Sequence, residues 1–245
     1  MSLTKINLSE AIKKQFFHKL KANIDAFSAM VGIQILGLLF SIGGVGSSGM
    51  SGDGLSVTVK YYSADVVIGF TLMWAFVTAI TVNTRANREQ DFTFITNRLS
   101  SSISNILFLA VAGLLASITA NLTSNLLNVL VYLFFEKEVY TAANGAEGLI
   151  TSIGGTFLYL ILISSVGYFI SSLGQISKLF LFLIPFIVIG FTYLNTLINF
   201  TGTIELVQFY VQEKSLSLFT LKALITAGLF YSAGVVLFNR MEVRK

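Results

Sequence analysis

A chain of 245 residues that is 54% apolar and only 11% charged, with one proline, no cysteine and a net charge of +4, is too apolar for an ordinary soluble domain. The small positive surplus gives no nucleic-acid footprint, and the lack of cysteine excludes disulfide frameworks, thiol nucleophiles and cysteine-held metal sites. With one histidine, His18, imidazole clusters are excluded as well, and the composition reads as an all-α, polytopic membrane protein.

From Asn7 to Ala22 a cap-like Asn7…Glu10 pair precedes Leu8, Ile12, Phe16 and Leu20 on one side of a helix, with Glu10, Lys14, His18 and Lys21 on another. This is an N-terminal amphipathic interfacial helix, and Lys13, Lys14, Lys19 and Lys21 are expected to meet anionic headgroups. His18 reads as an interfacial polar residue. No small-x-small site follows the long charged leader, so a signal peptide is not expected.

Ile24–Ile42 is the first run long enough to span, since about 20 residues at about 1.5 Å each cross a hydrocarbon core of roughly 30 Å. The glycine- and serine-rich residues 43 to 54 read as a flexible loop, with Tyr61 and Tyr62 as interface anchors for a second span, Ala64–Val82. Trp74 falls in the middle of that span and reads as a packing or pathway residue.

The polar island Asn83–Ser102 then interrupts the apolar pattern, holding Arg85, Arg88, Glu89, Asp91 and Arg98, five of the 28 charged residues. Asn87 and Gln90 have capping-box spacing, and Phe92, Ile95 and Leu99 fall on one face with Arg88, Asp91 and Arg98 beside it. A short amphipathic helix parallel to the membrane, with a face that docks a partner, is the expectation.

Ile103–Phe135 carries 33 residues without a charge, more than one perpendicular crossing needs and few for two, and is read as one tilted, protruding or kinked helix. Ser117, Asn121, Asn125 and Asn128 recur on it at helical spacing. Such an amide stripe is costly in lipid, so it serves either as helix–helix glue or as a wall of a substrate path. The fourth span is Leu149–Ile170, with Gly154, Gly155 and Gly167 set for close helix approach, and Ser171–Lys178 reads as a tight turn. The fifth, Leu179–Phe200, carries Pro185, which should kink it, either statically or as a hinge in the path. Thr201–Ser215 is too polar to span and is expected to lie in the outer leaflet; Leu216–Phe238 is the sixth crossing, with Lys222 free to snorkel.

With six spans and both termini on one side, that side takes 12 of the 16 basic residues, whereas the other takes seven of the 12 acidic ones. The termini and Asn83–Ser102 are therefore expected in the cytoplasm of a multi-pass cell-membrane protein. No nucleotide-binding, dinucleotide-binding or zinc-hydrolase motif is present, so the chain itself is not expected to be an enzyme. Asp25 and Asp65 lie near opposite faces and make no proton relay.

The cytoplasmic leader, six spans, the segment Arg88-Glu89-Gln90-Asp91-Phe92-Thr93-Phe94-Ile95-Thr96-Asn97-Arg98-Leu99-Ser100 and the tail Asn-Arg-Met-Glu-Val-Arg-Lys together resemble the permease subunit of type-2 ABC exporters. Members of that family often carry a Glu-x-Gly-Thr and a Thr-Pro in this segment, and neither that glycine nor that proline is present. The resemblance implies that a second permease chain pairs with this one and that separate ATPase subunits bind ATP and Mg. It also implies that Glu89–Leu99 is a cytoplasmic coupling helix, with Phe92, Phe94, Ile95 and Leu99 anchoring in an ATPase groove and Arg88, Glu89, Asp91 and Arg98 fixing register. The substrate would be amphipathic: a drug, antimicrobial peptide or lipid-like compound. A secondary transporter, or a non-transporting scaffold or immunity protein, is the alternative expectation.

Overall fold

The structure is a computed structural model that describes residues 8–52, 55–84, 87, 98–135, 146–177, 179–180, 202–213 and 215–240. Among these are seven helices and one strand pair: α1 (Leu8–Ala22), α2 (Ile24–Ile42), β1 (Gly46–Gly52), β2 (Leu55–Tyr61), α3 (Asp65–Val82), α4 (Arg98–Phe135), α5 (Ala146–Ile176), α6 (Gly202–Val211) and α7 (Leu216–Arg240). Five of them, α2, α3, α4, α5 and α7, are long and apolar enough to cross a membrane. The expected fifth span with Pro185 lies outside the described residues, apart from residues 179–180.

Three elements differ from the sequence expectation. Residues 43 to 54 are not a simple loop, because β1 and β2 form an antiparallel hairpin with Gly46 opposite Tyr61 and Gly52 opposite Leu55. Asp53-Gly54 separates the paired ends in sequence, the dipeptide that two-residue hairpin loops favour, and Val57, Thr58 and Val59 supply β-branched residues. Second, α5 runs through Ser171 and Ser172 to Ile176 where a turn was expected, because these serines are buried and hydrogen-bonded instead of solvated. Third, Arg98 and Leu99 are the first residues of the 38-residue α4 and not the end of a separate in-plane helix. Among the candidate spans, α4 is one unbroken helix.

The chain divides into two compact units, and α3, α4 and α5 contribute to both. One unit, residues 22–75 and 111–160, has an apolar core of Leu38, Ala64, Val67, Ala120, Leu127 and Val131, which brings together α2, α3 and α4. Close approach there depends on Gly37, where a Cβ would lie 2.9 Å from the Val67 Cα. Gln34 donates to Thr71 Oγ1 at 3.4 Å and to the Ala116 carbonyl at 3.3 Å, tying the same three helices. Trp74 is buried and its indole N–H donates to the Ala26 carbonyl at 2.9 Å, which makes it a packing residue between α3 and α2. The other unit, residues 1–21, 76–110 and 161–245, holds α1, α6, α7 and the remaining parts of α3, α4 and α5. Here Gly167 of α5 meets the Phe76 carbonyl of α3, Gly234 of α7 meets Tyr168 of α5, and the Ser164 hydroxyl bonds the Tyr231 hydroxyl at 2.7 Å.

Candidate functional site

The polar segment joining α3 to α4 is the stretch with docking chemistry, and the described residues at its two ends are built into the bundle by different helices. At its C-terminal end α4 opens with Ser100, Ser101, Ser102, Ser104 and Asn105, all buried. Four hydroxyls and an amide in the first turns of a helix need partners when they leave water. Lys19 of α1 supplies them for Ser101 and Asn105: it is 4% exposed, and its ammonium donates to the Ser101 carbonyl at 3.1 Å, to Ser101 Oγ at 3.3 Å and to Asn105 Oδ1. Ser104 also donates to the Ser101 carbonyl, at 2.8 Å.

This corrects the expectation that Lys19 meets lipid headgroups along with the other lysines of α1. Gln15 and Lys19 are one turn apart and both buried, so they share the face covered by protein, whereas Lys13, Lys14 and Lys21 are exposed. Lys14 instead pairs with Glu10 at 2.9 Å, and its hydrogen bond and charge hold the Glu10 carboxyl below the usual carboxylate range. The amphipathic helix thus keeps its basic outer face, with one lysine turned inward as an anchor.

At the N-terminal end of the segment, α3 finishes without a glycine cap, and its last carbonyls are taken by side chains. Ser171 of α5 donates to the Ile80 carbonyl at 3.1 Å. The Thr81 carbonyl accepts from the Thr84 hydroxyl at 2.8 Å and from the Asn87 amide at 2.8 Å. Asn83, fully buried, donates to Ser172 Oγ at 3.0 Å and to the Tyr168 carbonyl at 3.4 Å, and its own carbonyl accepts from Gln175. One end of the polar segment is therefore seated on α5 and the other on α1.

Of the residues expected to contact an ATPase, Arg88, Glu89, Asp91, Phe92, Phe94 and Ile95 lie outside the described residues; Arg98 opens α4, and Leu99 is exposed beside it. The Ser/Asn stripe does not form one wall. Ser117 is buried and bonds its own helix at the Leu114 carbonyl, 2.8 Å away. Asn121 is buried and crosses to Thr156 of α5 at 3.1 Å, which is helix–helix glue. Asn125, however, is exposed and Asn128 half-buried, because successive four-residue steps rotate about 40° around the helix axis. Pro185 is outside the described residues.

By sequence Lys19 is assigned to headgroups and not to an anchor, and Ser101, Asn105, Asn83, Ser172 and Gln175 are given no anchoring roles. The available signal was the Gln15–Lys19 spacing and the run of three serines, Ser100 to Ser102, just before the 33-residue uncharged stretch. Among the described residues no group of three His, Asp or Glu side chains could hold a metal ion. The fold is that of a multi-span helical membrane protein. No family model, curated protein or solved structure matches the chain.

Proposed function

We propose that this chain is the membrane-spanning permease subunit of an ATP-driven exporter of the type-2 ABC class, moving an amphipathic compound out of the cell with separate ATPase subunits. The observation that carries the reading is the double seating of the polar segment: Asn83 at one end is held by α5, and Ser101 and Asn105 at the other by Lys19 of α1. These contacts satisfy buried polar groups, and they also fix both ends of the segment. A segment that receives force from a motor needs both, since a handle transmits displacement only where it is fixed. The exposed basic face of α1 and the charge count favour a cytoplasmic position for the segment, where ATP is available.

In this reading Phe92, Phe94, Ile95 and Leu99 fill a groove on the ATPase, and Arg88, Glu89, Asp91 and Arg98 set the register. Substrate passes along helices rich in small and hydroxyl side chains, and the energy comes from the partner chain. The test is affinity purification of the full chain from its native membrane. An ATPase chain should co-purify, and its hydrolysis should be stimulated by the permease. The double variant Phe92→Ala with Ile95→Ala should lose both while keeping its helical content. Retention of the ATPase by the double variant would refute the contact assignment. A bound partner with no stimulated hydrolysis would instead mark a scaffold or immunity protein, and no partner with ion-gradient-driven uptake would mark a secondary transporter.

A further inference from the structure

Two amide side chains at the end of α3 are each half satisfied, and the structure fixes which half. Asn83, fully buried, turns its Nδ2 toward the Tyr168 carbonyl at 3.4 Å and Ser172 Oγ at 3.0 Å. Gln175 of α5 turns its Nε2 toward the Asn83 main-chain carbonyl. Each nitrogen faces a carbonyl oxygen, so neither amide can be reversed without opposing two acceptors. Asn83 Oδ1 and Gln175 Oε1 therefore point elsewhere, and both are removed from solvent without a hydrogen-bond partner. Because Gln175 touches the main chain of Asn83 itself, the two oxygens belong to one contact.

Buried acceptors without donors are costly, and a native structure carries them where a water or an ion completes them. The surroundings separate these two occupants. A water donates two protons, but its own lone pairs then need donors, and the hydroxyls nearby have spent theirs. Ser171 donates to the Ile80 carbonyl at 3.1 Å, Ser172 to the Tyr168 carbonyl at 3.0 Å and Thr84 to the Thr81 carbonyl at 2.8 Å. A cation has no lone pairs to satisfy. The position also favours positive charge, since α3 ends at Val82 and its last carbonyls carry the negative end of the helix dipole. The Asn83 main-chain oxygen is a third ligand, with a second lone pair beyond the one that meets Gln175. Neutral amide and carbonyl oxygens suit a monovalent ion, whereas calcium and magnesium sites are built on carboxylates. Carbonyls at helix C-terminal ends are recurrent ligands of such ions in membranes.

We infer that the α3–α5 contact binds one alkali cation, sodium or potassium, through Asn83 Oδ1, Gln175 Oε1 and the Asn83 main-chain oxygen, and that the ion locks this mount of the polar segment. The inference rests on the geometry of the mount and not on the exporter reading. The full chain, purified in a mild detergent, is melted in sodium chloride, potassium chloride or N-methylglucamine chloride at one ionic strength. At the midpoint found in N-methylglucamine, sodium or potassium at about ten times its dissociation constant should raise the folded-to-unfolded ratio roughly tenfold. Dialysis against radioactive sodium and rubidium, rubidium standing in for potassium, should find one ion per chain, and the tighter of the two names the ion. Gln175→Met should lose binding and the salt response together. Gln175→Lys, whose ammonium reaches the same oxygens, should also lose the response, yet melt in N-methylglucamine no lower than the unaltered chain. Ser171→Ala removes a bond of the same contact without touching the amide oxygens, so it should melt lower and keep the full response. Equal melting in all three salts, as an ordered water would give, would overturn the proposal. So would binding by Gln175→Met as tight as in the unaltered chain, or a Gln175→Lys chain that still gains from sodium or potassium. A salt response without a co-purifying ATPase would leave the ion site standing and remove the exporter; a bound ATPase without a salt response would do the reverse.

Discussion

Replacing Gly167 by alanine tests the crossing of α5 over α3, on which one mount of the polar segment depends. A Cβ at this position would lie 2.8 Å from the Phe76 carbonyl oxygen and 3.1 Å from the Ala79 Cβ. The first of these is backbone, so no side-chain rotation relieves it. Reaching an ordinary contact of 3.4 Å requires the helices to separate by about 0.6 Å at the crossing. The same displacement stretches Ser171 to the Ile80 carbonyl from 3.1 Å and Asn83 to Ser172 from 3.0 Å, taking both past 3.5 Å. Overpacking costs about 1–3 kcal/mol. Two interhelical bonds add about 0.6 kcal/mol each, and the better helix propensity of alanine returns about 1 kcal/mol. The net loss is about 1–3 kcal/mol. Gly155, on the same helix, has nothing within 4 Å of its would-be Cβ, so Gly155→Ala should be neutral or stabilising by up to about 1 kcal/mol. Equilibrium unfolding in mixed micelles at rising denaturing-detergent fraction measures both. Equal shifts for the two variants, in either direction, would refute the reasoning.

Replacing Lys19 by methionine keeps the volume but leaves the Asn105 carbonyl oxygen without its donor, at about 1–3 kcal/mol, and should raise limited tryptic cleavage at Arg85, Arg88 and Arg98 relative to the unaltered chain. Trp74→Phe removes the indole bond to the Ala26 carbonyl and should cost about 0.5–1.5 kcal/mol in the micelle unfolding assay, with no change in that cleavage. Lys222 of α7 donates to Glu213 and to the Phe209 carbonyl and lies 3.9 Å from the centre of the Phe209 ring, holding α6 against α7. The hydrogen bond from Lys222 lowers the Glu213 carboxyl from its ordinary 4.5, so the pair's contribution is present in full above 4.5 and fades as pH falls through the lower folded-state value. Hydrogen exchange across Gly202–Val211, corrected for its intrinsic pH dependence, should lose protection in that acid window, and Glu213→Gln should abolish the step.

The long apolar helices were legible because hydrocarbon imposes a length and excludes charge, and both are properties of consecutive residues: the run Ile24–Ile42 is helix α2. What was not legible was set by partners distant in sequence. Lys19 looks like its neighbours Lys13, Lys14 and Lys21 by local pattern, and only Ser101 and Asn105, 82 and 86 positions later, turn it inward. Ser171 and Ser172 read as a turn because polar residues after an apolar run usually meet water, whereas here they meet the carbonyl end of α3. The hairpin was hidden by its first strand, Gly-Ser-Ser-Gly-Met-Ser-Gly, whose composition is that of a linker; the alternating second strand was the readable half. The candidate site was legible as a charged and aromatic segment, but its mounts were not, since amides and serines carry no sign in a charge count.

The chemistry of the mounts bears on how such a segment could work. One ammonium and a set of neutral amides and hydroxyls hold it; the neutral interhelical bonds are worth only about 0.6 kcal/mol each on average, because the separated groups find other partners, and those from the ammonium are worth more. Several bonds acting together fix the position of the segment, and on α5 they come from Tyr168, Ser171, Ser172 and Gln175 along one stretch. Under the exporter reading proposed above, a push on the segment would reach α1 and α5 as well as α3 and α4, which it joins covalently.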